Sequence, residues 1–168
     1  AGLALVLAGC GGSSGSREFP AQGPEVALTT AGEVRAVDRA GMRSYFGIPF
    51  AAPPVGERRW MPPAPPQPWT TPLDRKASAA PCLQTSASPF RLAGDSEDCL
   101  YVDVHVPQGL GPFPVMVNLH GGAFNTGGTA PYADPSPLVA NGVIVVNVAY
   151  RLGAMGFLAH PALATDGA

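Results

Sequence analysis

The segment with the clearest chemical meaning is residues 115–124, VMVNLHGGAF, where an apolar run ends in the pair Gly121 and Gly122. The apolar run predicts a buried strand, and the glycines allow the backbone to turn sharply after it. In such a turn, consecutive backbone N–H groups can converge on one point and hold an anion. An oxygen that becomes negative when a carbonyl carbon is attacked is one such anion. The segment therefore predicts an anion-holding turn at the end of a strand.

Composition favours small-molecule chemistry on an ordered domain. The 168 residues are 46% hydrophobic and 13% charged, which is enough apolar material for one core. A net charge of -2 without a Lys/Arg cluster predicts no surface for nucleic acid or anionic lipid. The 21 glycines and 20 prolines are interspersed with strand-like runs, so we expect loop-rich order and not disorder. No metal-ligand spacing, phosphate loop or dinucleotide fingerprint occurs, so no cofactor is expected.

The first ten residues have the pattern of an export signal. Residues 1–7 read as the end of an apolar signal region, too short to span a membrane. Residues 7–10, Leu-Ala-Gly-Cys, resemble the lipobox of bacterial lipoproteins, which predicts lipid on Cys10. We thus expect a partial signal peptide over 1–9, a Gly/Ser-rich tether over 10–24, and an exported protein anchored to a bacterial membrane through Cys10. The alternative is a secreted protein in which Cys10 is incidental.

The remaining cysteines, Cys82 and Cys99, form an even pair in a chain expected to be exported, which favours a disulfide over two free thiols. That bond would close a loop of about 18 residues and stabilise the fold by roughly 3 kcal/mol.

Hydrophobic patterning predicts a mixed α/β architecture. We expect a β-hairpin over 25–38, strands over 43–51, 100–106, 115–119 and 143–148, a proline-rich crossing over 53–69 that is not helical, and a short helix near 137–140. The last two strands lack period-2 alternation, which is typical of central strands covered on both faces.

Four segments in this order resemble type-B carboxylesterases, the family that includes the cholinesterases. They are FGIPFAAPPVG from Phe46, followed by Arg59-Trp60 and Pro68-Trp69; SEDCLYVDV from Ser96; HGGAF from His120; and YRLG from Tyr150, followed by Gly156-Phe-Leu158. The resemblance implies an α/β-hydrolase fold. Residues 25–168 would be its N-terminal part, with the hairpin and the first strands of the central sheet.

The resemblance also implies roles for individual residues. The oxyanion donors would be the N–H groups of Gly122 and Ala123, with Gly121 permitting the turn, and a third donor would follow the nucleophile. His120 would order the turn through hydrogen bonds; general-base catalysis is the alternative. By analogy, Arg59 and Glu97 would form a salt bridge that braces the cysteine loop.

Other aromatic and imidazole side chains are open to two interpretations. Trp60, Trp69, Phe124 and Tyr132 would either line an acyl pocket or pack in the core. For His105 and His160 no partner pattern is visible, and we expect solvent or packing roles.

A serine nucleophile is not recognisable. Residues 11–15, GGSSG, match the G-x-S-x-G pattern, but Ser13 has neither a strand before it nor a helix after it. Ser136 lies between two prolines, which excludes a nucleophile elbow. We therefore expect a fragment that lacks nucleophile, acid and base and is inactive alone, from a serine esterase that hydrolyses a small-molecule ester through an acyl-enzyme. The alternatives are a non-catalytic cholinesterase-like binding module, a short membrane-tethered lipoprotein, and a lactonase.

Overall fold

The computed structural model describes residues 25–39, 41–85 and 87–163. Within them the strands are β1 (Val26–Leu28), β2 (Glu33–Arg35), β3 (Val37–Arg39), β4 (Met42–Pro49), β5 (Tyr101–Pro107), β6 (Val115–Leu119) and β7 (Ile144–Val148); the α-helices are α1 (Ser136–Val139) and α2 (Gly153–Phe157); and 3-10 turns span Gly56–Arg58, Ala130–Tyr132 and Pro161–Leu163. The predicted signal segment, tether, Cys10 and Ser13 lie outside the described residues.

A five-stranded sheet with the order β3-β4-β5-β7-β6 organises the molecule. Strands β6 and β7 are parallel, whereas the other neighbours are antiparallel. The parallel pair needs a crossover, which residues 120–143 provide and which includes α1. This arrangement confirms the predicted α/β class and the N-terminal part of an incomplete hydrolase sheet. Among the described residues, no helix has the length and apolar character needed to cross a membrane.

The predicted hairpin forms, but it is shorter than expected. Strands β1 and β2 pair antiparallel from Val26 with Arg35 to Leu28 with Glu33. The Thr29 side chain holds the turn, because its Oγ1 donates to the Gly32 carbonyl at 2.7 Å and accepts from the Gly32 N–H at 3.1 Å. Residues 37–39 leave the hairpin and pair with β4 in the main sheet. The proline-rich crossing is irregular, as predicted, apart from its single 3-10 turn.

One face of the main sheet is covered within the described residues, and the opposite face is exposed at β6. The covered face packs Met42 and Val145 against Val139 of α1. On the opposite face, Val115, Val117 and Leu119 of β6 are 59–66% exposed. The prediction of cover on both faces was therefore wrong for β6 within the described residues, whereas the residues of β7 are buried or half-buried. A strand with a nearly continuous apolar sequence is apolar on both faces. Such a sequence shows that both faces can be buried, but it does not show whether another element covers them.

Candidate active site

The predicted anion-holding turn follows β6 directly and is anchored at its first residue. His120 is buried, and its ring stacks on that of Tyr150 with centroids 4.4 Å apart. The Tyr150 hydroxyl donates to the His120 carbonyl at 2.6 Å. Because Tyr150 follows β7, the carboxyl ends of the two parallel strands together fix where the turn begins. Ligand sites of open α/β sheets lie at this edge.

The backbone of the turn runs through three consecutive residues with positive φ. The values are 121° at Gly122, 52° at Ala123 and 60° at Phe124. The N–H groups of Asn125 and Thr126 donate to the Gly122 carbonyl at 3.0 and 3.1 Å, which closes the turn. A Cβ added to Gly122 would lie 1.9 Å from the Thr126 carbonyl oxygen, so only glycine fits there. Two of the three, Ala123 and Phe124, are not glycine, and the sequence did not indicate that they would take a positive φ.

Gly121 proves less restricted than its neighbour. Its φ lies outside the positive region, and an added Cβ would meet no atom within 4 Å. The sharp backbone turn therefore depends on Gly122 and not on Gly121.

The turn presents unpaired donors to solvent. Gly122 and Ala123 are exposed, and in the part of the chain that the structure describes their N–H groups have no hydrogen-bond acceptor. Their carbonyls are engaged instead: the Gly122 oxygen accepts within the turn, and the Ala123 oxygen accepts from Asn125 Nδ2 at 2.8 Å. Donors held this way are ready for an incoming negative oxygen at little reorganisation cost.

His120 orders the turn from inside. Its Nδ1 lies 2.8 Å from the Gly121 carbonyl oxygen. Since that oxygen can only accept, Nδ1 is the donor in this contact. This geometry fits the predicted ordering role.

An apolar depression of about 500 Å³ adjoins the turn. Its wall includes Leu119, Phe124, Tyr150 and Phe157, and the rings of Phe124 and Phe157 have centroids 4.9 Å apart. Such a wall suits an apolar group beside the reacting carbonyl. Sequence reasoning missed Tyr150 and Phe157 as pocket residues, although both stand in the YRLG and GFL motifs that carried the resemblance.

Of the four aromatic residues predicted for an acyl pocket, only Phe124 lies in this depression. The Trp60 ring donates to the Ala154 carbonyl at 3.0 Å, and Trp69 donates to the Glu33 carbonyl at 2.7 Å. Tyr132 lines a separate cavity on the covered face of the sheet. None of these three lines the depression beside the turn.

The cysteine loop has the two predicted braces. Cys82 and Cys99 are disulfide-bonded and buried. Arg59 binds Glu97 in bidentate fashion, with Nε to Oε2 at 2.8 Å and an Nη to Oε1 at 2.6 Å. The two-bond geometry fixes orientation as well as charge, so this pair braces the loop more specifically than a single contact would.

A buried polar cluster on the covered face gives His105 the packing role among the two predicted, with hydrogen-bond partners that the sequence did not show. Its ring is fully buried, with Nδ1 2.9 Å from Ser44 Oγ and Nε2 3.4 Å from Asn147 Nδ2. Asn147 also donates to the Tyr132 carbonyl at 2.8 Å. Desolvation lowers the pKa of His105 to about 4, against the opposing pull of the Asp103 carboxylate. His105 thus joins three strands as a neutral, partnered side chain. His160 is exposed, as expected.

No nucleophile elbow occurs in residues 25–39, 41–85 and 87–163. Ser136 is the first residue of the four-residue α1, and its hydroxyl donates to Asp134. It is preceded by a 3-10 turn and not by the strand that an elbow requires. Over the same residues, no group of three or more His, Cys, Asp or Glu side chains is placed to hold a metal ion.

Comparison with known proteins gives one consistent result. Residues 23–167 match the sequence model of the carboxylesterase family. The chain is 46% identical over 143 residues to fumonisin B1 esterase of Sphingopyxis macrogoltabida, covering 82% of this chain and 26% of that protein. It is 44% identical over 141 residues to para-nitrobenzyl esterase of Bacillus subtilis (strain 168), covering 80% of this chain and 29% of that protein.

The solved structures agree. A structure of PNB esterase superimposes with a TM-score of 0.75 at 40% identity, covering 82% of this chain and 30% of the other. Juvenile hormone esterase from Manduca sexta superimposes with a TM-score of 0.73 at 34% identity, covering 80% and 28%. The chain thus spans less than a third of the length of these relatives. Over that span both sequence and fold agree, and the chain belongs to the carboxylesterase family.

Proposed function

We propose that the whole protein is a carboxylic ester hydrolase and that this chain contributes its oxyanion hole. The observation that carries the proposal is the pair of N–H groups at the exposed Gly122 and Ala123, which find no acceptor among the described residues and are held in a positive-φ turn beside an apolar depression. Membership of a family of esterases supports it. A turn that only ended a strand would not need strained backbone at Ala123 and Phe124.

The reaction divides between this chain and residues outside the described part. A serine hydroxyl attacks the ester carbonyl, a general base takes its proton, and the carbonyl oxygen becomes an oxyanion. The N–H groups of Gly122 and Ala123 bind that oxygen, and each donor stabilises the transition state by about 3 kcal/mol. Collapse expels the alcohol and leaves an acyl-enzyme, which water hydrolyses. The serine, its base and its acid would follow later in chain order.

The shape and chemistry of the depression favour an apolar ester. Its lining is aliphatic and aromatic apart from the His120 ring and the Tyr150 hydroxyl. No Lys or Arg side chain lines it, so a carboxylate group on the substrate would find no partner among the described residues. Esters with hydrophobic acyl or alcohol groups are therefore the expected substrates. Lactones are cyclic esters and would be hydrolysed by the same chemistry.

The direct test is hydrolysis of p-nitrophenyl butyrate by the whole protein, followed in the pre-steady state. We expect a burst of about one nitrophenolate per active site and stoichiometric labelling by a fluorophosphonate, both typical of an acyl-enzyme mechanism. Absence of turnover and of labelling in a folded protein would contradict the proposal. It would leave a non-catalytic binding module or a membrane-tethered lipoprotein as the account; hydrolysis of lactones but not of linear esters would identify a lactonase.

We propose further that the protein is exported and anchored through lipid on Cys10. The apolar residues 1–7 and the Leu-Ala-Gly-Cys pattern support this, and so does the disulfide between Cys82 and Cys99, which leaves Cys10 as the cysteine outside the pair. Radiolabelled palmitate should enter the wild-type protein and not its Cys10→Ser variant, which should lose membrane association. Equal labelling of both would contradict the anchor.

A further inference from the structure

The anion-holding turn after β6, residues 121–124, is the proposed oxyanion turn. The cysteine loop, defined here as residues 82–99, lies against the segment that follows it. Gln84 makes the central contact: its Nε2 donates to the Gly127 carbonyl at 2.7 Å, and its Oε1 accepts from the Gly127 N–H at 3.0 Å. The same Oε1 accepts from the Leu92 N–H at 3.1 Å. One side-chain amide thus pairs with both backbone groups of Gly127 and also with its own loop.

Gly127 is in turn packed against the oxyanion turn. Its φ is 112°, and an added Cβ would lie 2.4 Å from His120 Nδ1 and 2.5 Å from the Gly121 carbonyl oxygen. These are the two atoms whose hydrogen bond orders the start of the turn. A displacement of Gly127 would therefore reach His120 and Gly121 without any intervening residue.

Two weaker contacts also join the region of the cysteine loop to the segment after the turn. The Thr85 N–H donates to the Asn125 carbonyl at 3.3 Å. A Cβ added to Gly128 would lie 3.1 Å from Leu92 Cδ1 of the cysteine loop and 2.9 Å from Cβ of Pro81, the residue just before it, so the backbone there is closely packed. Residues 125–128 consequently lie between the oxyanion turn and the cysteine loop.

We propose that Gln84 is a positioning residue for the oxyanion hole: through Gly127 it fixes the turn that carries the Gly122 and Ala123 donors. The proposal rests on the proposed function. The disulfide fixes one end of the loop two residues before Gln84, which limits how far that side chain can move. A primary amide is required because the side chain must donate to the Gly127 carbonyl and accept from the Gly127 N–H at the same time. Glutamate would retain the length, lose the donor and set a carboxylate oxygen against the Gly127 carbonyl.

The test compares the Gln84→Glu and Gln84→Ala variants of the whole protein with Gln67→Ala, an exposed glutamine in the proline-rich crossing. Because the donors act on the transition state, we expect kcat to fall roughly 10- to 100-fold with KM changed less than about twofold. The inhibition constant of a trifluoromethyl ketone, which mimics the tetrahedral intermediate, should rise by the same factor as kcat/KM falls. Gln67→Ala should change none of these.

Amide hydrogen exchange over residues 120–129 supplies a readout that does not depend on activity. Faster exchange there in both Gln84 variants, with the fall in kcat, supports the proposal. Unchanged exchange overturns it, and so does a lower melting temperature with kcat per folded molecule unchanged. If the wild-type protein hydrolyses no ester, the proposed function fails and the oxyanion role of Gln84 fails with it. In that case the exchange result still decides whether Gln84 holds the loop.

Discussion

At the scale of single residues, the turn after β6 concentrates backbone strain at and beside the proposed oxyanion donors. A non-glycine residue in the left-handed region costs about 1–2 kcal/mol, and Ala123 and Phe124 both lie there. The carbonyls of both residues accept hydrogen bonds, from Asn125 Nδ2 and from the Gly153 N–H, which offset part of that cost. Strain that persists against such a cost is typical of functional sites.

The first prediction separates the two glycines. In Gly122→Ala the new Cβ meets the Thr126 carbonyl, so the turn must move and its donors with it. We expect kcat for ester hydrolysis to fall roughly 100-fold or more, with a stability loss of about 2 kcal/mol. Steady-state kinetics and urea unfolding of the whole protein measure both.

Gly121→Ala is the matched control. Its Cβ meets no atom of the described residues within 4 Å, so the free energy of unfolding should remain within about 0.5 kcal/mol of wild type. Equal destabilisation of the two variants would show that the turn has a backbone different from the one described.

At the scale of elements, the sequence was sufficient to predict where the strands lie. It did not predict which strands pair and which segments pack against them. The sequence patterns placed β4 to β7 within one or two residues, because these segments are rich in the β-branched, aromatic and other apolar residues that favour strands. The exposed β6 and the departure of β3 from the hairpin could not be read from those runs, since both depend on which neighbours pair and pack. His105 escaped for the same reason: its partners Ser44 and Asn147 are 61 and 42 residues away.

The second prediction concerns the His105 cluster across β4, β5 and β7. The pKa of His105 is lowered to about 4 in the folded state, so between pH 6.5 and 4 the unfolded chain binds a proton that the folded protein does not. Stability is therefore full above about pH 6.5 and falls as pH approaches 4, by about 3 kcal/mol from this residue. Arg39 nearby also disfavours the charged ring, whereas Asp103 and Asp134 favour it.

His105→Gln isolates that contribution, because glutamine keeps polar atoms and does not titrate. Urea unfolding of both proteins from pH 7 to pH 4 gives the free energy of unfolding at each pH. The slope of this free energy against pH should be smaller for the variant, by an amount that corresponds to at most one bound proton. Parallel curves would mean that His105 titrates normally or has solvent access.

The third prediction concerns the cysteine loop. Removing the disulfide with Cys82→Ala and Cys99→Ala frees a loop whose ends are 17 residues apart, so we expect the free energy of unfolding to drop by about 3 kcal/mol. Denaturant unfolding without and with dithiothreitol provides the check. Wild type should lose about the same amount on reduction, and the double variant should be insensitive to the reagent; reduction that leaves the wild type unchanged would contradict the role of the disulfide.

At the scale of the whole molecule, the described residues leave β6 exposed on one face of the sheet. Val115, Val117 and Leu119 together form an exposed apolar strip on β6. Contiguous apolar surface of this kind is unusual on a soluble monomer and marks an interface or a face that other chain segments cover. This strip fits a chain that spans less than a third of its relatives.

The fourth prediction follows from that strip. Residues 1–168 expressed alone should bind 1-anilinonaphthalene-8-sulfonate strongly, elute as aggregates in size-exclusion chromatography and hydrolyse no ester. Replacing Val115 and Val117 with threonine should reduce dye binding while keeping β-strand propensity. Weak dye binding and a sharp monomer peak from the wild-type chain would contradict the exposed face.

The sequence predicted the position of the turn but not the contacts that support it. The glycine pair after an apolar run indicated a sharp turn there, and Gly122 takes a positive φ as a glycine readily does. The Tyr150 stack on His120 and the contact of Gln84 with Gly127 arise from segments 30 and 43 residues distant in the chain, and no local pattern marks them. Likewise, the pattern did not show that Ala123 and Phe124 would take positive φ.

The most direct test of the central claim is a crystal structure of the whole protein after reaction with an alkyl fluorophosphonate. The account predicts that a phosphonyl oxygen of the covalent adduct lies about 2.7–3.1 Å from the backbone nitrogens of both Gly122 and Ala123, with the alkyl group in the depression beside Phe124 and Phe157. An adduct whose oxygen binds other donors, with the Gly122 and Ala123 N–H groups facing solvent, would contradict it.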